Sequence, residues 1–211
     1  MEHRSYRLEK LEVRENGSQS TISGYAALFN RLSSILWGFR EKIAPWAFAD
    51  SLKDDIRAFW QHDSAQVLGR TKAGTLSVWE DERGLGFDLT PPDTQTGRDA
   101  VTLIGRGDVD QMSFGFNVLP DGDSWEQTGD GMLIRTLHKV RLIEISPVTF
   151  PAYPDTSVAV RSEDVDIASS APEWVQRALA QGVDHKSGAA DVARARLLLR
   201  QRQHAILNLR R

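Results

Sequence analysis

The sequence predicts an α+β fold that is mostly antiparallel β-strand, with a few surrounding helices and a helical C-terminal tail. Three observations carry this. Short stretches rich in β-branched, aromatic or alternating apolar residues recur at about 5–14, 20–29, 55–61, 74–80, 84–90, 111–119, 132–138 and 140–146. Only two short stretches among them have helical character. Near residue 161 the composition turns polar, and beyond it helical. Many short strands with few helices suggest a closed or nearly closed β-barrel.

In chain order, the stretches 5–14 and 20–29 open the domain, the second carrying Ile22, Tyr25, Leu28 and Phe29. A helix is expected from Pro45, whose fixed φ suits a first helical position, through Trp46, Phe48 and Leu52. The stretch 55–61 holds Ile56, Phe59 and Trp60 and leads into His62-Asp63. Glu80-Asp81-Glu82-Arg83-Gly84 separates two strand patterns and predicts a hairpin with Gly84 in a left-handed position. Asp93-Thr94 caps a second helix with Val101, Leu103 and Ile104, which Gly105-Arg106-Gly107-Asp108 ends. In the stretch 111–119, Ser113 and Gly115 project from one face and Met112, Phe114 and Phe116 from the other.

From Arg161 to Pro172 the chain is polar and turn-rich, as a linker is. Helical composition follows over 173–180 and 191–209. The chain therefore divides into a domain over 1–160 and a linker with a basic helical tail over 161–211. From Val192 onward there are six arginines and no acid, interleaved with Leu197, Leu198, Leu199, Ile206 and Leu207. Two readings of this tail stand side by side: docking on an acidic partner, or packing on its own domain with the arginines in water.

With 211 residues the chain is one large domain or one domain with an appendage. A formal charge of −3 points to no particular partner, and the absence of cysteine excludes disulfides and thiolate metal sites. Met1 to Ser5 lack an apolar signal region and no apolar stretch is long enough to span a bilayer, so a soluble intracellular protein is expected, with no membrane partner. Gly97-Arg98-Asp99 and Gly105-Arg106-Gly107-Asp108 fit neither a Walker loop nor a dinucleotide fingerprint. The six tryptophans do not interleave with a basic stripe, so no nucleic acid is expected. No metal or cofactor is expected either. His62-Asp63 with His138 is the remote zinc candidate, and adjacent strand side chains diverge.

Chemistry concentrates in a few places. A serine opposite a glycine leaves space above its hydroxyl, which a nucleophile needs, although a small residue in a crowded sheet gives the same pattern. Serine also needs a base within hydrogen-bond reach. Of the five histidines, His3 lies at a terminus expected to fray, and His185 and His204 lie in the tail. His62 and His138 remain. A histidine beside an aspartate at a strand end is usually just solvated or capped, yet a hydroxyl, an imidazole and a carboxylate on separate strands are the parts of a serine hydrolase.

The motifs carry a resemblance. Gly24-Tyr25-Ala26-Ala27-Leu28-Phe29-Asn30, Trp60-Gln61-His62-Asp63, Val67-Leu68-Gly69-Arg70-Thr71, Gly97-Arg98-Asp99, Gln111-Met112-Ser113-Phe114-Gly115-Phe116 and the stretch Glu144 to Thr156 follow one another in order over roughly residues 5–160. This ordered set resembles the prohead (capsid maturation) serine proteases of tailed bacteriophages, distant relatives of the herpesvirus assembly proteases, which have a barrel surrounded by helices. The resemblance implies Ser113 as nucleophile and His62 as general base. Glu144, in Leu-x-Glu-x-Ser-Pro within an otherwise apolar strand, is the chosen third member, because an unpaired buried carboxylate is costly. His138 ranks second, since the herpesvirus proteases use a second histidine; Asp63 and Asp110 come third. Ser146, the rival serine, is read as organising a turn at Pro147. Pro147, Pro151 and Pro154 have no N–H and are excluded from an oxyanion hole.

The resemblance further implies a serine endopeptidase inside the assembling procapsid in the bacterial cytoplasm. Its substrate would be the major capsid protein or a separate scaffold, and it would also cut itself; a homo-oligomer is left open. The runner-up is a non-catalytic β-barrel module that binds scaffold.

Overall fold

The computed structural model describes residues 1–7, 11–16, 19–36, 38–149 and 171–182. Twelve strands and two α-helices lie in them. A five-stranded sheet is built from β1 (Glu2–Arg7), β9 (Gln111–Val118), β12 (Val140–Val148), β5 (Arg57–Trp60) and β6 (Asp63–Arg70), in that order. A four-stranded sheet has the order β2 (Glu12–Asn16), β3 (Gln19–Leu28), β8 (Gly84–Leu89), β7 (Leu76–Glu80). A three-stranded sheet runs β10 (Asp123–Gln127), β11 (Leu133–Leu137), β4 (Phe39–Ile43). Pairing is antiparallel except between β12 and β5 and between β11 and β4.

The α+β, mostly-strand expectation is met. The closed or nearly closed barrel is not confirmed: among the described residues the ladders form three separate sheets, each with free edges. The core lies where apolar faces meet. Met112, Phe114 and Phe116 of β9 join Ile22 of β3, Leu85, Phe87 and Leu89 of β8, Ile145 of β12 and the loop residue Phe48, all fully buried.

Several elements differ from the sequence expectation for identifiable reasons. The stretch 5–14 splits into β1 and β2. The helix expected from Pro45 is only a 3₁₀ turn at Ala49–Ser51, because Trp46 takes a left-handed conformation (φ +67°) where a first helical turn would need αR. The β7–β8 hairpin forms, but Gly84 has no positive φ; its Cα packs directly on the Ala27 backbone, where a Cβ has no room. Asp81 closes that hairpin by accepting from Arg83 N and Gly84 N. The helix after Thr94 is α1 (Gln95–Arg106), capped by the Thr94 side chain and ended by left-handed Gly107.

β1 is held by charge as much as by its ladder. Arg4 donates to Glu41 Oε1 and Glu2 Oε2, each at 2.6 Å, and Arg135 donates to Glu2 Oε2 at 2.9 Å and to Asp123 at 2.6 Å. Glu2, Arg4, Glu41 and Arg135 are all buried. This network ties β1 to the three-stranded sheet while its backbone pairs with β9 from Glu2↔Phe116 to Arg7↔Gln111.

The helix α2 (Glu173–Gly182) places Val175 in a second core with Ala171, Leu36, Phe39 and Leu133. The linker residues 161–170 and the basic tail from residue 183 lie outside the described residues, as do His185 and His204.

Candidate active site

Three neighbouring pieces of the five-stranded sheet converge. Ser113 is in the middle of β9, paired with Ser146 of β12. On β12 the register shifts between Leu142 and Glu144, so that Leu142 faces Phe116 and Glu144 faces Gly115. This bulge decides where the acid goes. A regular ladder from Leu142 would set Glu144 against Phe114 and turn it into the core; the extra residue, Ile143, turns it to the Ser113/Gly115 face.

His62 arrives on a turn. Trp60 pairs with Asp63, and the two residues between them, Gln61 (φ +56°) and His62 (φ +62°), both have left-handed backbones, as a type I′ hairpin turn requires. Asn-Gly is the usual choice there, so Gln-His carries local strain. Gln61 pins the turn to the end of β12: its N–H donates to Pro147 O, its Nε2 donates to Thr149 Oγ1, and its Oε1 accepts from Thr149 N.

The result is a continuous hydrogen-bond line. His62 Nε2 lies 2.6 Å from Ser113 Oγ, and His62 Nδ1 lies 2.8 Å from Glu144 Oε1. An ionised carboxylate only accepts, so Nδ1 carries the proton and the Nε2 lone pair faces the serine hydroxyl. Ser146 Oγ donates to Glu144 Oε2 at 2.6 Å, which commits both carboxylate oxygens. Arg4 O, 3.1 Å from Ser113 Oγ, is a second acceptor for the hydroxyl proton.

The space over Gly115 is not open. A Cβ at that position would lie 2.6 Å from Glu144 Oε1 and 2.9 Å from His3 Cδ2. Glycine here makes room for the acid and for a second imidazole. His3 stacks on His62 with ring centroids 4.3 Å apart and planes 19° apart, and its Nε2 is 3.6 Å from Glu144 Oε1. Burial holds the His3 imidazole below its usual pKa, and the neighbouring His62 acts the same way, partly offset by Glu144.

The other candidates lie elsewhere. His138 Nε2 bonds to Ser124 Oγ at 2.7 Å and has no contact with Ser113 or His62. Asp63 is taken up by Ala65 N and Gln66 Nε2, which hold its carboxyl below the ordinary range; Asp110 is exposed just before β9. The zinc grouping of His62, Asp63 and His138 is therefore not assembled. His3, His62 and Glu144 do have donor atoms within 4.8 Å of one another. Their rings are nearly parallel, however, so the imidazole lone pairs run side by side and do not converge on one ion.

The places that His3 and Ser146 take at the site are not what the sequence suggests. Ser146 is not in a turn but inside β12, and the β5 ladder has already ended at Ile145, before Pro147 would interrupt it. His3 sits on a strand whose inward side chains are Glu2 and Arg4, so no apolar alternation announced it.

Residues 9–170 match the family of caudovirus prohead serine proteases. The chain belongs to this family. The matched region contains His62, Ser113, Glu144 and Ser146, whereas β1 with His3 and the helix α2 fall outside it. No curated protein and no solved structure matches the chain. Membership places the chain among serine proteases and associates it with phage capsid maturation. Among the described residues no helix is long and apolar enough to cross a membrane.

Proposed function

We propose that the protein is an endopeptidase with Ser113 as nucleophile, His62 as general base and Glu144 as the acid that orients and supports the imidazole. The unbroken Ser113–His62–Glu144 line, at 2.6 and 2.8 Å, is the observation that carries this reading. As Ser113 Oγ attacks a peptide carbonyl carbon, its proton passes to His62 Nε2. The imidazolium then has Glu144 against Nδ1, and Ser146 keeps that carboxylate from turning. Collapse of the tetrahedral intermediate passes the proton to the leaving amine and leaves an acyl-Ser113 ester. Water, deprotonated by the same His62, hydrolyses it. Ser113 is fully buried, so substrate must displace a covering group to reach Oγ.

The proposed substrate is the major capsid protein or a separate scaffold, cut inside the assembling procapsid in the host cytoplasm. Self-cleavage in the polar segment 161–172 is part of the same proposal, since such segments are preferred sites of nicking. The basic residues beyond α2 would then hold the precursor on an acidic scaffold until the cut. Co-production with the capsid and scaffold proteins, read by intact mass, tests this. Wild type is expected to yield shortened capsid or scaffold and a shortened protease, and Ser113→Ala full-length chains. Equal truncation by Ser113→Ala would remove both proposals.

A further inference from the structure

We infer that His3 is a positioning residue of the reaction, whose uncharged ring face backs the imidazolium that forms on His62. This rests on the proposed role of His62. The ring-over-ring contact at 4.3 Å and 19° puts the π face of His3 against the ring that gains charge during acyl transfer. A cation within about 6 Å of an aromatic face is stabilised, more so when water is excluded.

The surroundings of His3 disfavour a proton on its ring. Glu144 already accepts a hydrogen bond on each oxygen, from His62 on Oε1 and from Ser146 on Oε2. Among the described residues His3 Nε2 is buried without a hydrogen-bond partner, at 3.6 Å from Oε1, outside hydrogen-bond reach. Among the described residues the charged or titratable groups facing His3 are His62, Glu144, Arg4 on its own strand and the α-amino group of Met1. Only Glu144 favours a proton on it, and burial opposes one. Of the two stacked imidazoles, only His62 lies within hydrogen-bond distance of the Glu144 carboxylate, 2.8 Å against 3.6 Å for His3. β1 is fixed for this task by the buried Arg4–Glu41 and Arg135–Glu2 pairs on its other face.

Replacement by Phe keeps a π face; replacement by Leu or Gln fills the volume without one. The readouts are the rate of Ser113 labelling by a fluorophosphonate as a function of pH, and the His62 titration by imidazole ¹H–¹⁵N NMR in a Ser113→Ala background. His3→Phe should stay within about twofold of wild type, whereas His3→Leu and His3→Gln should label about fivefold more slowly. Loss of support for the charged ring makes His62 less basic, so in Leu and Gln its titration and the acid limb should move down by roughly half a pH unit. Leu and Gln variants matching Phe in both rate and His62 midpoint would overturn the inference, as would a Phe variant as slow as Leu. If wild type itself fails to label, the protease reading falls, and the NMR midpoints still decide whether His3 supports a charged His62.

Discussion

Glu144 faces Gly115 across the β9–β12 ladder, and its Oε1 lies 2.6 Å from where a Cβ at position 115 would be. The glycine and the acid are thus one device. Without the bulge at Ile143 the acid would point into the core, and without the glycine it could not lie flat enough to reach His62. Gly115→Ala should therefore displace Glu144 or His3. Misplacement of a catalytic group by about 1 Å costs on the order of a hundredfold in rate, and the overpacking should cost about 1–3 kcal/mol. Steady-state cleavage and urea unfolding measure the two effects, and a fully active Gly115→Ala would contradict the geometry.

Ser146 donates to Glu144 Oε2, and in the proposed mechanism it supports the acid while Ser113 is the nucleophile. Ser146→Ala leaves Glu144 Oε2 buried without its donor, at a cost of about 1.5–3 kcal/mol. Activity should fall less than in Glu144→Gln, which removes the negative charge facing the imidazolium. Both variants should still take a fluorophosphonate on Ser113, more slowly than wild type.

The buried charges under β1 carry a stability prediction. Arg135→Met leaves the carboxylates of Glu2 and Glu41 with Arg4 as the remaining guanidinium of the cluster, and breaking such a set typically costs ~3–5 kcal/mol. Hydrogen exchange should rise first in β1, and labelling of Ser113 should slow because β1 carries His3 and the Arg4 carbonyl. Unchanged exchange in β1 would show that its ladder with β9 suffices.

His3 also links stability to pH. Its pKa is lower in the folded protein than the ordinary 6.5. Below that value the unfolded chain binds a proton that the native chain refuses, so stability falls with falling pH until the folded pKa is reached. His3→Phe should flatten the loss in that window. Urea midpoints at several pH values between 4 and 7 measure it, and equal slopes for the two proteins would refute the linkage.

The parts of the fold written in apolar alternation were legible. β3, β8, β9 and β12 were expected close to their observed positions because their inward residues are Ile22, Phe87, Phe114 and Ile145. β1 was not, since its inward residues are charges whose partners, Glu41 and Arg135, lie far along the chain. The helix at Pro45 failed on the backbone of one residue, Trp46, which propensity does not register. At the site, Ser113, His62 and Glu144 were picked out by motif and meet in space, whereas His138, chosen as the alternative third member, bonds to Ser124. The bulge at Ile143 explains why alternation alone could not have set Glu144 beside Ser113. His3 gives no signal in the sequence, because a chain terminus is expected to fray and its anchoring depends on long-range ion pairs that local sequence does not encode.

Active-site labelling asks whether Ser113 is a nucleophile activated by His62. Wild type, Ser113→Ala, His62→Ala and Ser146→Ala would be treated with a fluorophosphonate, digested and mapped by mass spectrometry. One modified peptide is expected, bearing the label on Ser113 in wild type and Ser146→Ala. Ser113→Ala should show none. His62→Ala should react slower by several orders of magnitude, since nucleophile and base act as a unit. Label on any other serine in a folded Ser113→Ala protein, or undiminished labelling of Ser113 in His62→Ala, would contradict it.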